Sequence, residues 1–297
     1  MNEEYKKPIL LLLLLVISGK GFTDTPVFDA QLVFKIGYHI NSFPDLTPTE
    51  AYLTFGLIAK ELGKVAKCKV SHFAYNDIIQ MRNDFQRGVF NFIILPPLKI
   101  VKYFNPNMLR GGFNATANSL PLDTLQLITR KNEGLDSFTD LQEHQLSLLK
   151  NEDLSELYLK TLLSRLAKNN DSFFSNIDKQ KNSQRVILKL FFKQTDAILV
   201  YKSQFLLAVE MNPQIGKNVQ VIEQYKGVPK GIGFFHKDVN AKLRKHIILS
   251  VLEFQHSVRG QQLLELLKSD EIKHSYVSDL QAVSDLYFDY KRLKNKQ

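Results

Sequence analysis

The chain has 297 residues, of which 44% are hydrophobic and 23% charged, with a formal net charge of +9. Those proportions exclude a disordered chain, and the length leaves room for two domains of about 100 to 200 residues each. The single cysteine, Cys68, excludes internal disulfides and cysteine-based metal centres, and basic residues spread along the chain favour an anionic ligand or acidic partner over nucleic acid.

Residues 1–21 read as a secretory signal. Lys6 and Lys7 precede an unbroken apolar run from Ile9 to Ile17, and the small residues Ser18, Gly19 and Gly21 follow it. A run this short cannot cross a bilayer, which takes about 20 residues. No cysteine follows it, so the expectation is a soluble periplasmic protein rather than a lipoprotein. An uncleaved anchor or a buried amino-terminal strand is the alternative.

Leu32 to Tyr38 then forms a first strand. Thr47, Pro48 and Glu50 spell a helix start, with Thr47 as N-cap and Glu50 closing a capping box. The helix buries Ala51, Phe55, Ile58 and Leu62. Cys68 to Phe73 alternates like a second strand, which makes Cys68 a buried structural thiol rather than a nucleophile paired with His72. Asn76 caps a second helix with Ile78, Met81 and Phe85 inward and Gly88 as its stop. Val89 to Leu95 is a third strand. Arg110-Gly111-Gly112 reads as a turn, Thr124 to Thr129 as a strand, and Lys131 to Gly134 as a hinge.

Beyond that hinge the pattern repeats. Gln145 to Leu149 and Asp196 to Val200 are strands, and Leu154 to Leu166 and Gln184 to Phe192 are helices. Val219 to Ile222 and the turn Lys226-Gly227-Val228-Pro229 lead back to a strand at Gly231 to His236. Helices over Val239–His256, Gly260–Leu267 and Leu280–Leu293 finish the chain. Continuous apolar runs alternating with helices imply an α/β fold of two lobes, each a mostly parallel sheet flanked by helices, with the ligand beyond the carboxyl ends of the strands. The first lobe is expected over 22–130 and 228–297, the second over 131–227, with two hinge crossings.

Three phrases carry a resemblance. They are Tyr75-Asn76-Asp77 leading through Phe85-Gln86-Arg87-Gly88 to the run Phe90–Pro97, then Gly134-Leu135-Asp136-Ser137-Phe138-Thr139-Asp140-Leu141, and Phe191-Phe192-Lys193-Gln194-Thr195-Asp196-Ala197. Together with the order of elements they resemble the periplasmic phosphate/phosphonate-binding proteins, the solute receptors of ABC importers, over about residues 32 to 270. The resemblance implies a two-lobed periplasmic-binding-protein fold that clamps an anion at helix tips. Carried over by position, it implies ligand contacts from Tyr38, Asn41, Ser42, Tyr75, Pro96 and Lys99 in the first lobe. In the second it implies Asn151, Ser155, Asn182, Ser183 and Tyr201. At one tip this chain departs from the family's small hydroxyl residues, with Asn151-Glu152-Asp153-Leu154-Ser155-Glu156, whose acids oppose an oxyanion. That leaves two expectations: an anion held by the first lobe and the Asn182-Ser183 tip, or a zwitterion whose cationic end meets Asp153.

The hydrolase elbow, zinc-protease, P-loop and dinucleotide-binding motifs are all missing from the sequence. A monomeric binding protein without cofactor, presenting its solute to a membrane permease or a periplasmic sensor, is therefore expected. An enzyme on the same scaffold, or an interaction protein whose cleft holds no ligand, is the alternative.

Overall fold

The computed structural model describes residues 33–43, 46–116, 122–168, 173–229, 231–267 and 269–296. The signal-like residues 1–21 lie outside them. In chain order the first lobe opens with β1 (Val33–His39), α1 (Pro48–Val65), β2 (Lys69–Tyr75), α2 (Ile78–Gln86), β3 (Phe92–Leu95), α3 (Pro97–Tyr103) and β4 (Leu109–Thr116). The second lobe follows with β5 (Asp123–Arg130), β6 (Gln145–Leu149), α4 (Asp153–Arg165), β7 (Asn176–Gln180), α5 (Ser183–Phe191), β8 (Ala197–Tyr201), α6 (Lys202–Met211), α7 (Gln214–Lys217) and β9 (Val219–Val228). The chain then returns through β10 (Gly231–His236), α8 (Ala241–Phe254), α9 (Val258–Leu266), β11 (Glu271–Ser275) and α10 (Gln281–Lys294).

Both sheets are mixed rather than mostly parallel. The first runs β11-β4-β10-β3-β1-β2 and the second β7-β6-β8-β5-β9. In each, the strands joined by helical crossovers pair in parallel (β2 and β3 with β1; β7 and β8 with β6), while the strands that enter or leave a lobe pair antiparallel. In the first sheet the antiparallel strands β10 and β11 come from chain returning after its excursion into the second lobe, and in the second sheet β5 pairs with β8 and β9 from far along the same lobe; local pattern encodes neither long-range pairing.

Local signals set the helix starts. Glu50 N–H donates to the Thr47 hydroxyl at 3.2 Å while Thr47 N–H donates to Glu50 Oε2 at 2.7 Å, the reciprocal box read from the sequence. For α2 the cap is Asp77 rather than Asn76, since Asp77 Oδ1 accepts from Ile79 N–H at 2.7 Å. β3 begins at Phe92, and the Asn91 side chain just before it bridges the backbone of β1, accepting from Lys35 N–H at 2.8 Å and donating to the Val33 carbonyl at 2.9 Å.

Three expectations are revised. Arg110-Gly111-Gly112 is no turn; it lies inside β4, where a Cβ on Gly112 would stand 2.2 Å from the Gly233 carbonyl oxygen of β10. Thr124 to Thr129 lies in β5, which pairs with β8 and β9 of the second sheet, so the chain has crossed before Asp123, and the Lys131–Gly134 loop is internal to the second lobe. The α10 helix packs Val283 and Leu286 into the second lobe's core rather than the first lobe's, beside Leu98 of α3.

The first lobe has a core on each face of its sheet, one including Phe34, Phe92 and Phe235, the other including Phe85, Phe90 and Phe234. Cys68 is half-buried at the edge of the former, and burial pushes its thiol up, away from the thiolate.

Candidate solute-binding cleft

A cavity of about 580 Å³ lies between the lobes, walled by the loops beyond β1 and β3 on one side and by the starts of α4 and α6 on the other. Strand direction explains its place: β1 and β3 run parallel, so both carboxyl ends reach the same edge of the sheet.

On the first-lobe wall, β1 passes into a single 3₁₀ turn, Ile40–Ser42, that turns Asn41 and Ser42 into the cleft. Lys99, in the first turn of α3, donates from Nζ to Ser42 Oγ at 3.0 Å. Ser42 Oγ is in turn 2.8 Å from His39 Nδ1, and His39 Nε2 is 3.1 Å from the Asn76 carbonyl. The carbonyl can only accept, so Nε2 carries a proton, and in the neutral imidazole Nδ1 accepts from the serine hydroxyl. Burial first and the Lys99 charge second push the His39 pKa down, in keeping with that state. The relay fixes the ammonium of Lys99 toward the cleft. Burial lowers the Lys99 pKa, and the Asp153 carboxylate across the cleft partly offsets that.

The second-lobe wall is acidic. Glu152 is the N-cap of α4: Oε2 accepts from Ser155 N–H at 2.6 Å and Oε1 from the Tyr201 hydroxyl at 3.1 Å. Asp123 likewise accepts from the N–H and hydroxyl of Ser203 in the first turn of α6. Both helix starts on this wall thus already hold a carboxylate of the chain itself, at the position where a bound oxyanion would draw on the free N–H groups. Asp153 remains exposed at the cavity wall. Among the described lining residues, Lys99 is the one basic side chain, and Glu152 and Asp153 are the acids.

Of the expected contacts, Asn41, Ser42, Pro96, Lys99, Asn151 and Tyr201 line this cavity. The other five stand elsewhere. Tyr38 is buried against Phe55, ring centroids 4.0 Å apart, with its hydroxyl 3.1 Å from His72 Nδ1. Tyr75 points into the core and donates to Asp84 at 3.0 Å. Ser155 is buried beneath the Glu152 cap, while Asn182 caps α5 by accepting from Arg185 N–H at 2.9 Å, with Ser183 beside it. His39 and Gln204 were not expected. For His39 the signal was its place at the very end of β1; for Gln204 it was the first turn of the helix after Tyr201.

Burial pushes the Glu152 carboxyl up. A folded-state pKa above the unfolded one makes the group's contribution complete below the unfolded value and lost as pH rises through the folded value. Glu152→Gln, which keeps an acceptor for Ser155, should therefore gain in stability relative to the natural protein as pH rises from 4 to 8. Melting curves with the same pH dependence for both would contradict a strained carboxylate here.

Two α/β lobes with a polar cleft between them define a solute-binding protein of the two-lobed periplasmic kind. Residues 40–280 match the family model described as "ABC transporter, phosphonate, periplasmic substrate-binding protein", and the chain belongs to that family. Solved structures agree in fold. XAC2383 from Xanthomonas citri, bound to ATP, matches at 11% identity and a TM-score of 0.58, covering 89% of this chain and 98% of that one. PhnD1 from Prochlorococcus marinus, in complex with methylphosphonate, matches at 15% identity and 0.56, covering 88% and 98%. A binding protein of an ABC phosphonate transporter from Pseudomonas aeruginosa matches at 12% and 0.55, covering 88% and 87%. A sequence comparison with curated proteins finds no match.

Proposed function

We propose that this chain is a periplasmic receptor that closes on a small solute bearing both an oxyanion and a cationic end. The oxyanion rests on Lys99, Ser42 and Asn41 of the first lobe, and the cationic end faces Asp153 of the second. The observation that carries this reading is the opposition of charges across the cleft, with Lys99 on one wall and the exposed Asp153 on the other. A simple dianion would meet Lys99 but also that carboxylate, and repulsion inside a Debye length of about 8 Å is not screened. The Asn182-Ser183 tip is given no part, since it does not line the cavity. Closure follows from population shift, because the solute touches both walls only when the lobes are together. The partner is an ABC permease, with a periplasmic sensor as the alternative docking protein, and the receptor works as a monomer after export with removal of residues 1–21.

Calorimetric titration tests the reading: 2-aminoethylphosphonate should bind more tightly than methylphosphonate, and methylphosphonate more tightly than ethylamine. Equal affinity for the two phosphonates would remove the role of Asp153, and no binding of either would overturn the proposal. In a Gram-negative host the periplasmic product should lack about its first 20 residues by mass, and an intact amino terminus would count against export.

A further inference from the structure

The cavity does not end at the polar cleft. Its wall along β3 changes character with depth: Lys99 and Pro96 stand at the cleft, Ile94 lies further in, and Phe92 is at the strand's far end. The same progression runs down β1, from Ser42 through Ile36 to Phe34. Opposite the sheet, the space is bounded by Ile58 of α1, Val251 and Phe254 of α8, and Leu263 of α9. It is therefore a chamber inside the first lobe, between sheet and helices, that opens into the cleft beside Lys99.

An ordinary core would be filled here, since interiors pack as densely as organic crystals. Here Phe34, Ile36, Phe92, Val251, Phe254 and Leu263 are buried, yet Ile58, Ile94 and Ala115, which line the same space, are only partly so. Apolar walls without partner atoms among the described residues forfeit dispersion contacts, and water gains little between walls this apolar. The fitting occupant is a hydrocarbon chain. Cleft and chamber together enclose about 580 Å³, within the range of about 300–1,000 Å³ typical of small-molecule sites.

We infer that the receptor takes a single-chain amphiphile, with its alkyl chain in the first-lobe chamber, its phosphate on Lys99 and Ser42, and its cationic head group toward Asp153. The inference rests on the reading of the cleft as an oxyanion site and adds the chain. The order in space, apolar chamber, then cation, then acid, matches the order in such a molecule: chain, then phosphate, then amine. A bare phosphonate would leave the chamber unused.

The test is a titration of the purified protein with phosphocholine and its hexyl, octyl and decyl monoesters, each below its aggregation concentration, with 2-aminoethylphosphonate and decanol as references. Affinity should rise about fourfold per added methylene until the chamber is full and then level off. In Ala115→Phe, whose ring would occupy the chamber, the series should become flat. Val251→Phe on the opposite wall should do the same and serves if the first variant does not fold. A flat or falling series on a protein that binds 2-aminoethylphosphonate would overturn the chamber while leaving the cleft reading intact. Decanol binding as tightly as decyl phosphocholine would also overturn the proposal, because the chain would then be held without its phosphate. If neither 2-aminoethylphosphonate nor any ester binds, both readings fall.

Discussion

Lys99→Met is expected to weaken binding of 2-aminoethylphosphonate by at least about 30-fold. Truncating one partner of a buried, hydrogen-bonded charge pair costs about 2–5 kcal/mol, and 30-fold is the lower end of that range. Lys99 is positioned for a large effect: it is partly buried, held by the Ser42–His39 relay, and no other basic side chain among the described residues lines the cavity. The methionine keeps the length and apolar stem of the lysine and removes only the charge and its donors. Calorimetry on both proteins gives the comparison. A loss of threefold or less would show that the oxyanion sits away from this ammonium, and the first-lobe half of the site would have to be redrawn.

The second large effect concerns the fold. Gly112→Ala should lower stability by at least about 3 kcal/mol, beyond the usual cost of added bulk, because the new Cβ meets backbone that cannot rotate away. It would stand 2.2 Å from the Gly233 oxygen and 2.9 Å from its carbon, in the middle of the first sheet. Gly88→Ala is the matched control. Its φ of +71° places it in the left-handed region with no atom within 4 Å of the added Cβ, so it should cost only the conformational penalty of about 1–2 kcal/mol. At about 2–4 °C per kcal/mol for a chain of this order of size, the two melting temperatures should separate clearly. Equal shifts would mean that β4 can move off β10 without penalty.

Gly112 also shows where sequence reading runs out. Arg110-Gly111-Gly112 has the composition of a turn, and nothing local says that the glycine is there so that two strands can lie close. β5 fails for a related reason: Leu125, Leu127 and Ile128 would suit either sheet, and only its pairing with β8 and β9, decided far along the chain, places it in the second. Features with a local cause were legible. The Thr47–Glu50 box, the stripe of α1 and the apolar runs of β3 and β8 all follow from short-range chemistry, and the two-lobed α/β class followed from their alternation.

For the site, the sequence located strand ends but not the direction in which side chains leave them. Tyr38 and Ser42 are four residues apart, yet the first stacks on Phe55 inside the lobe and the second lines the cavity. Tyr75 was lost to the core in the same way. The acidic run at the start of α4 was legible as a conflict with an anion. Its resolution, with Glu152 spent on capping the helix and only Asp153 facing outward, needed the geometry of the Ser155 and Tyr201 hydrogen bonds.

The placement of α10 bears on how such a receptor could be turned into a sensor. Because Val283 and Leu286 are embedded in the second lobe while the preceding β11 belongs to the first, the carboxyl-terminal segment is a third crossing, added to those between β4 and β5 and between β9 and β10. Three tethers leave the open form fewer orientations to sample than two would, so less freedom is lost on closure. A fluorophore on α10 would ride with the second lobe although it lies beyond every first-lobe strand in sequence. Paired with a second dye on α2, none of whose residues lines the cavity, it would report lobe separation directly.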